Sequence, residues 1–265
     1  MKNIILTLTL AVGLFTGCGE GGSGGAGSAS SGSSGGSVGK GGSMARFAIN
    51  GDYLYTVDRD AMRVFDISEP SRPYPYAKVG VAFDVQTLFA YKEYLFIGGE
   101  SGMYIYDAHT PAQPEKISQF THMRSCDPVV IYEDLAFITL NKGSTCRLQS
   151  GENTLQVVDV KDPLKPKLLK TVGMWSPKGL GVDENGTLFV CDGSAGLKIF
   201  HVNKTEDNRT GEVQVVLDDS VQKPLQEVDC YDVIPHEKRL IVSSYEDVRQ
   251  FDYSHFPLVQ ISTVK

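Results

Sequence analysis

Beyond residue 43 the chain repeats one pattern: a short alternating strand, a tight polar turn, an apolar strand, a second turn, an apolar strand ending in Asp, and a proline-bearing turn. Five copies lie in register. Their second strands read Tyr53–Val57, Tyr94–Ile97, Leu135–Ile138, Leu188–Val190 and Leu240–Val242; their third strands read Met62–Asp66, Met103–Asp107, Leu155–Asp159, Leu197–His201 and Val248–Asp252. The closing Asp recurs after 41 and 52 residues, then after 93 across the copy in which His201 replaces it, so one unit takes about 44 residues. The runs are rich in β-branched and aromatic side chains, and no stretch sustains a helical period. Units of this length and content cover their apolar faces by stacking on one another, as the blades of a propeller do. The expected fold is all-β, a β-propeller of five blades of four antiparallel strands. Counting begins on an inner strand and ends on an outer one, so the ring closes by packing blade one on blade five without a shared strand. Four blades with a distorted insert, and a sixth blade supplied by another chain, are the alternatives.

After the third strand come Pro70 and Pro73, Pro111 and Pro114, then Pro163 and Pro166, each pair spaced P-x-x-P. Their recurrence behind the same Asp marks a rigid turn between the third and fourth strands, with the Asp side chain accepting hydrogen bonds from the N–H groups just ahead. In this order of apolar strand, Asp, short turn and Pro-x-x-Pro, the chain from Met44 to Lys265 resembles the LVIVD repeats, a β-propeller repeat of bacterial exported proteins. The resemblance implies an architecture and leaves the activity open. Blade four departs from it, with His201 for Asp and a polar segment, Asn203 to Glu212, in place of the proline turn.

The N-terminus reads as a lipoprotein signal peptide over residues 1–17. Lys2 precedes an apolar run from Ile4 to Phe15 that is too short to span a bilayer, and Phe15-Thr16-Gly17-Cys18 is a lipobox, with Cys18 the lipidated residue. Residues 18–43 are the lipidated Cys and a Gly/Ser tether that cannot bury enough apolar surface to fold; its root-mean-square span is roughly 25 to 30 Å. The propeller follows over residues 44–265. These features predict a protein held to the bacterial cell envelope through its lipid, in the outer membrane because Gly19 is not the Asp that retains such proteins at the inner one. The net charge of −7 and the lack of a Lys/Arg-rich run argue against nucleic acid. Of the four remaining cysteines, Cys126 and Cys146 close a loop of about 20 residues, the favoured disulfide, worth about 3 kcal/mol in the chain-entropy model. The pairing of Cys191 with Cys230 stays open.

Turns alternate between two faces of a four-stranded blade. One face holds tight turns such as Asn50-Gly51-Asp52, Lys92-Glu93, Glu133-Asp134 and Glu184-Asn185-Gly186. The other collects the longer segments, where binding residues usually sit on a rigid scaffold. The candidate ligand- or partner-binding residues there are Arg46, Arg124, Asp127, Trp175, Lys178, Asp229, Tyr231 and Asp232, with Trp175 and Tyr231 as aromatic anchors. No catalytic, cofactor or metal signature emerges. Gly21 to Gly25 matches G-x-S-x-G without a strand or helix around it, His236-Glu237 lacks the second His of a zinc helix, and Asp183 to Gly186 reads as a turn before it reads as a calcium loop. The expected function is a non-enzymatic binding or scaffolding module, monomeric, for a protein or glycan partner. The alternative is a glycoside hydrolase-like enzyme using Asp127, Asp229 and Asp232 at the channel mouth, a reading lowered if those carboxylates pair with Arg46 or Lys178.

Overall fold

The computed structural model describes residues 42–81, 85–99, 101–122, 128–142, 152–220 and 222–265. Cys18, Arg124, Cys126, Asp127 and Cys146 lie outside them, and with them the Cys126–Cys146 pairing. The described residues form five four-stranded antiparallel sheets, each with its strands paired in chain order. Blade one comprises β1 (Phe47–Asn50), β2 (Tyr53–Asp58), β3 (Ala61–Asp66) and β4 (Tyr74–Gly80). Blade two comprises β5 (Val85–Tyr91), β6 (Tyr94–Gly99), β7 (Gly102–Asp107) and β8 (Glu115–Thr121). Blade three comprises β9 (Val129–Tyr132), β10 (Leu135–Leu140), β11 (Thr154–Asp159) and β12 (Lys167–Gly173). Blade four comprises β13 (Leu180–Val182), β14 (Thr187–Cys191), β15 (Leu197–Glu206) and β16 (Val213–Asp218); blade five comprises β17 (Asp232–His236), β18 (Arg239–Ser243), β19 (Val248–Asp252) and β20 (Val259–Val264). Among the described residues no strand is shared between blades one and five.

The second and third strands of the middle blades are buried on both faces, which is why β6, β10 and β14 read as nearly unbroken apolar runs. The fourth strands lie at the rim; β4, β12 and β20 are mostly exposed and β8 is mostly half-buried. Four apolar clusters fill the junctions of blades one with two, two with three, three with four, and four with five. Among the described residues no fifth cluster joins blade five to blade one, so the expected packing of those blades is the weakest part of the ring.

The turn chemistry follows the sequence closely. Asp66, Asp107, Asp159 and Asp252 each accept the N–H two residues ahead, from Ser68, His109, Lys161 and Ser254, at 2.7–2.9 Å. Each proline turn is closed by an i to i+3 bond, Arg72 N–H to Glu69 O, Gln113 to Thr110 and Lys165 to Asp162, with Pro70, Pro111 and Pro163 at the second position, where a fixed φ suits the turn. Just before it, β3, β7, β11 and β19 shift register against their outer partners at the same repeat position. Blade four departs from this pattern. Its third strand runs on past His201 to Glu206, Asn203–Glu206 pairs with Val213–Val216, and Asp207 caps the displaced turn by accepting N–H groups from Arg209 and Thr210.

The tight-turn face also joins neighbouring blades. Glu133 with Asp134, and Glu237 with Lys238, hold positive φ at both positions of two-residue hairpins, as twist-matched turns require. Their side chains reach sideways: Asp134 pairs with Lys92 at 2.7 Å between blades two and three, and Lys238 with buried Asp183 at 3.1 Å between blades four and five.

Candidate functional site

On the opposite face the connection from β12 to β13 is held by a carboxylate that the sequence reading did not single out. Asp192 is fully buried, accepts the N–H groups of Trp175 and Ser176 at 2.8–3.1 Å, and pairs with Lys198 at 2.7 Å. Asn141 donates to Pro177 O, Thr139 Oγ1 donates to Lys178 O, and Lys178 N–H donates to Cys191 O. The backbone is thereby fixed from both neighbouring blades, yet the Trp175 side chain on it is 68% exposed.

The segment ahead of β17 is secured by a disulfide between Cys191 and Cys230, with Cα atoms 5.3 Å apart. Tyr231 N–H donates to Ser243 O, and Tyr231 O accepts from Gly179 N–H. This brings Lys178 within 3.2 Å of Asp229 and sets its ammonium 6.0 Å from the Tyr231 ring and 5.1 Å from the Tyr245 ring. The two tyrosines meet edge to face at 5.5 Å, and Tyr245 is 78% exposed. Beside them opens a cleft of about 290 Å³ whose lining includes Glu227, Asp229, Tyr245, Glu246, Asp247 and Arg249. Arg249 is occupied there, 3.0 Å from Asp247 and donating to Glu227 O. Hydrogen bonding from the Ser244 hydroxyl, followed by the Arg249 charge, holds the Asp247 carboxyl below its ordinary range.

Of the residues expected at the rim, the structure brings together Lys178, Asp229 and Tyr231, with Trp175 three residues before Lys178 on the same connection. Arg46 is exposed at the entry to β1, its carbonyl accepting Val57 N–H. Asp232 has a different setting. Its carboxylate accepts from the Ser43 hydroxyl at 3.0 Å and Met44 N–H at 3.3 Å, while Ser43 Oγ accepts Leu180 N–H at 2.8 Å. Ala45 O accepts Leu88 N–H from blade two. The stretch Gly42–Ala45 therefore crosses the channel mouth between blades two, four and five, with Asp232 behind it. Burial raises the Asp232 pKa. Tyr245, Asp192 and Arg249 are additions to the expected set; Tyr245 was legible as an aromatic in a connection on the loop-rich face.

Asp183 behaves as a turn former. Burial alone would raise its pKa, but N–H donors from Thr187 and Asn185, together with Lys238, bring it below the ordinary value. Among the described residues no three His, Cys, Asp or Glu side chains converge as a metal centre.

The family model of the LVIVD repeat matches residues 41–77, the first blade and its proline turn, and the other four blades repeat that unit in register. The chain carries an LVIVD repeat in its first blade, and its fold is a five-bladed β-propeller. No curated protein sequence matches it. Solved propellers do match in fold. A protein of unknown function from Desulfotomaculum acetoxidans aligns with a TM-score of 0.57 at 13% identity, over 80% of this chain and 68% of that one. The periplasmic gluconolactonase of Pseudomonas aeruginosa aligns at 0.56 and 12%, over 81% and 67%. A candidate 6-phosphogluconolactonase from Bacteroides fragilis aligns at 0.56 and 13%, over 83% and 69%. At such identities the likeness is one of fold, and this chain spans about two thirds of each neighbour's length.

Proposed function

We propose that this five-bladed propeller is an envelope-anchored lipoprotein whose loop-rich rim is a non-enzymatic binding site for a glycan. The observation that carries the reading is the set of exposed rings, Trp175 and Tyr245 with Tyr231 between blades, held on backbone that buried hydrogen bonds and a disulfide keep in place. Aromatic faces presented rigidly give large contact area at little entropic cost, and the carboxylates of the adjoining cleft offer acceptors for hydroxyl groups. A protein partner is the other outcome the rim would accommodate. The hydrolase reading loses support because Asp229 is paired with Lys178 and Asp232 lies behind Ser43 and Met44.

Trp175 is the sole tryptophan, so its emission reports on the rim directly. Titrating the full chain in detergent micelles with envelope polysaccharide fragments should shift its emission to shorter wavelength and saturate. Tyr245→Ala should weaken that titration at least tenfold. Unchanged emission across the fragments would remove the glycan reading. The lipid anchor has its own test: Cys18→Ala should abolish incorporation of labelled palmitate.

A further inference from the structure

Given the lipid anchor proposed above, on which this rests, we propose that the proline turn of blade three and the start of β12 form a contact surface for an anionic lipid membrane. The anchored propeller then lies with this edge on the bilayer. Residues 161–170 carry four lysines and one acidic side chain, Asp162, in a chain whose net charge is −7. Leu164 in the turn is 61% exposed and Leu168 on β12 is 43% exposed, and neither belongs to an apolar cluster.

The repeat does not ask for these side chains. Counted from the closing Asp, the place of Leu164 is held by Ser71 in blade one and Ala112 in blade two, and that of Lys165 by Arg72 and Gln113. Strand register gives Leu168 the place of Pro75 and Lys116, and Lys167 that of Tyr74 and Glu115. All three turns close with the same i to i+3 bond, so turn chemistry does not select leucine and lysine here. The backbone beneath them is held: Asp162 accepts Leu164 N–H at 3.0 Å, and Ser118 on β8 donates its hydroxyl to Pro163 O.

The lysines are unequally employed. Lys161 pairs with Glu206 at 2.7 Å, and Lys170 donates to Val215 O of blade four at 3.5 Å. Lys165 and Lys167 are exposed and, among the described residues, paired with no carboxylate. Ammonium groups beside exposed leucines suit a boundary where apolar side chains enter between headgroups while lysines meet lipid phosphates. The rest of an acidic molecule is repelled by the same surface, so attraction at one edge sets the orientation. Few groups suffice, because the tether of residues 18–43 keeps the patch at high effective concentration over the bilayer. From Lys167 to Gly173, β12 rises about 20 Å, which carries the Trp175 connection away from the contacting edge and leaves the binding rim open.

The sole tryptophan makes a single-site reporter possible. In the full lipidated chain, Trp175→Phe combined with Leu164→Trp moves the fluorophore to the turn, and both substitutions fall on exposed sites. In vesicles of phosphatidylcholine and phosphatidylglycerol brominated on the acyl chains, its emission is expected to fall about twofold relative to unbrominated vesicles. Adding Lys165→Glu/Lys167→Glu, or using phosphatidylcholine alone, should restore the emission, and Trp175 in the parent chain should stay unquenched. An unquenched reporter, quenching indifferent to both the lysines and the lipid charge, or quenching at Trp175 instead would each overturn the proposal. A shift to shorter wavelength that grows with protein concentration and needs no lipid would overturn it in favour of a second copy at this edge. Failure of the anchor shows separately, as a chain that does not float with the vesicles. That chain, held through a His tag at residue 18 on a nickel-chelating lipid, submits the turn to the same quenching test with the same outcomes.

Discussion

At the scale of single residues, the carboxylates divide into two populations with opposite consequences for pH. Hydrogen bonds from Ser68, His109 and Ser254 hold Asp66, Asp107 and Asp252 below the ordinary value, so their contribution is complete above an unfolded pKa of about 3.9 and is lost as pH falls through the folded values. Asp232 runs the other way. Its folded pKa is raised by burial, so the native state binds its proton more tightly than the unfolded chain, and that contribution is present at low pH and lost as pH rises through the folded value. Denaturant titrations from pH 7 to pH 3 should therefore show a stabilising limb on acidification that Asp232→Asn removes, leaving the decline below pH ~4 to the turn carboxylates. Gly179 offers a second test. A Cβ there would collide with the Asp232 carboxylate and come within 2.7 Å of its Cα, so Gly179→Ala should destabilise the protein by about 1–3 kcal/mol, measurable by urea unfolding.

Elements explain what the sequence could and could not disclose. The hairpins were legible because a two-residue period, an Asp and a proline turn recur at fixed offsets, and local chemistry alone sets them. Blade four's third strand was read as ending at His201, yet it continues to Glu206, because the segment without proline is free to extend the ladder. Pairing of Cys191 with Cys230 could not be read from spacing, since it depends on the end of β14 meeting the approach to β17. This bond closes a loop of 39 residues, so replacing both cysteines with alanine should cost about 4 kcal/mol in the chain-entropy model, read as a lower urea midpoint. The same variant should weaken glycan binding, because the disulfide positions Asp229 and Tyr231. Asp232 read as a rim residue from sequence for a related reason: only the path of residues 42–45 covers it.

On the scale of the whole molecule, the uneven ring is what no strip of sequence displays. Leu54 and Leu95 hold the same place in the repeat, yet Leu95 is buried in the junction of blades one and two, whereas Leu54, at the seam, is half-buried. Leu95→Ala should cost about 3–5 kcal/mol and Leu54→Ala less than half as much, as read by urea unfolding. Equal losses would show that the seam is packed like the other junctions. The crossing of the channel mouth by Gly42–Ala45 has a mechanical side. Tension drawn through the N-terminal chain reaches the bonds of Ser43 and Met44 to Leu180 and Asp232 before it can peel β1 from β2. Under the proposed lipid anchor, a pull from the membrane would be borne by the blades farthest along the chain, and the first blade would be sheltered from shear.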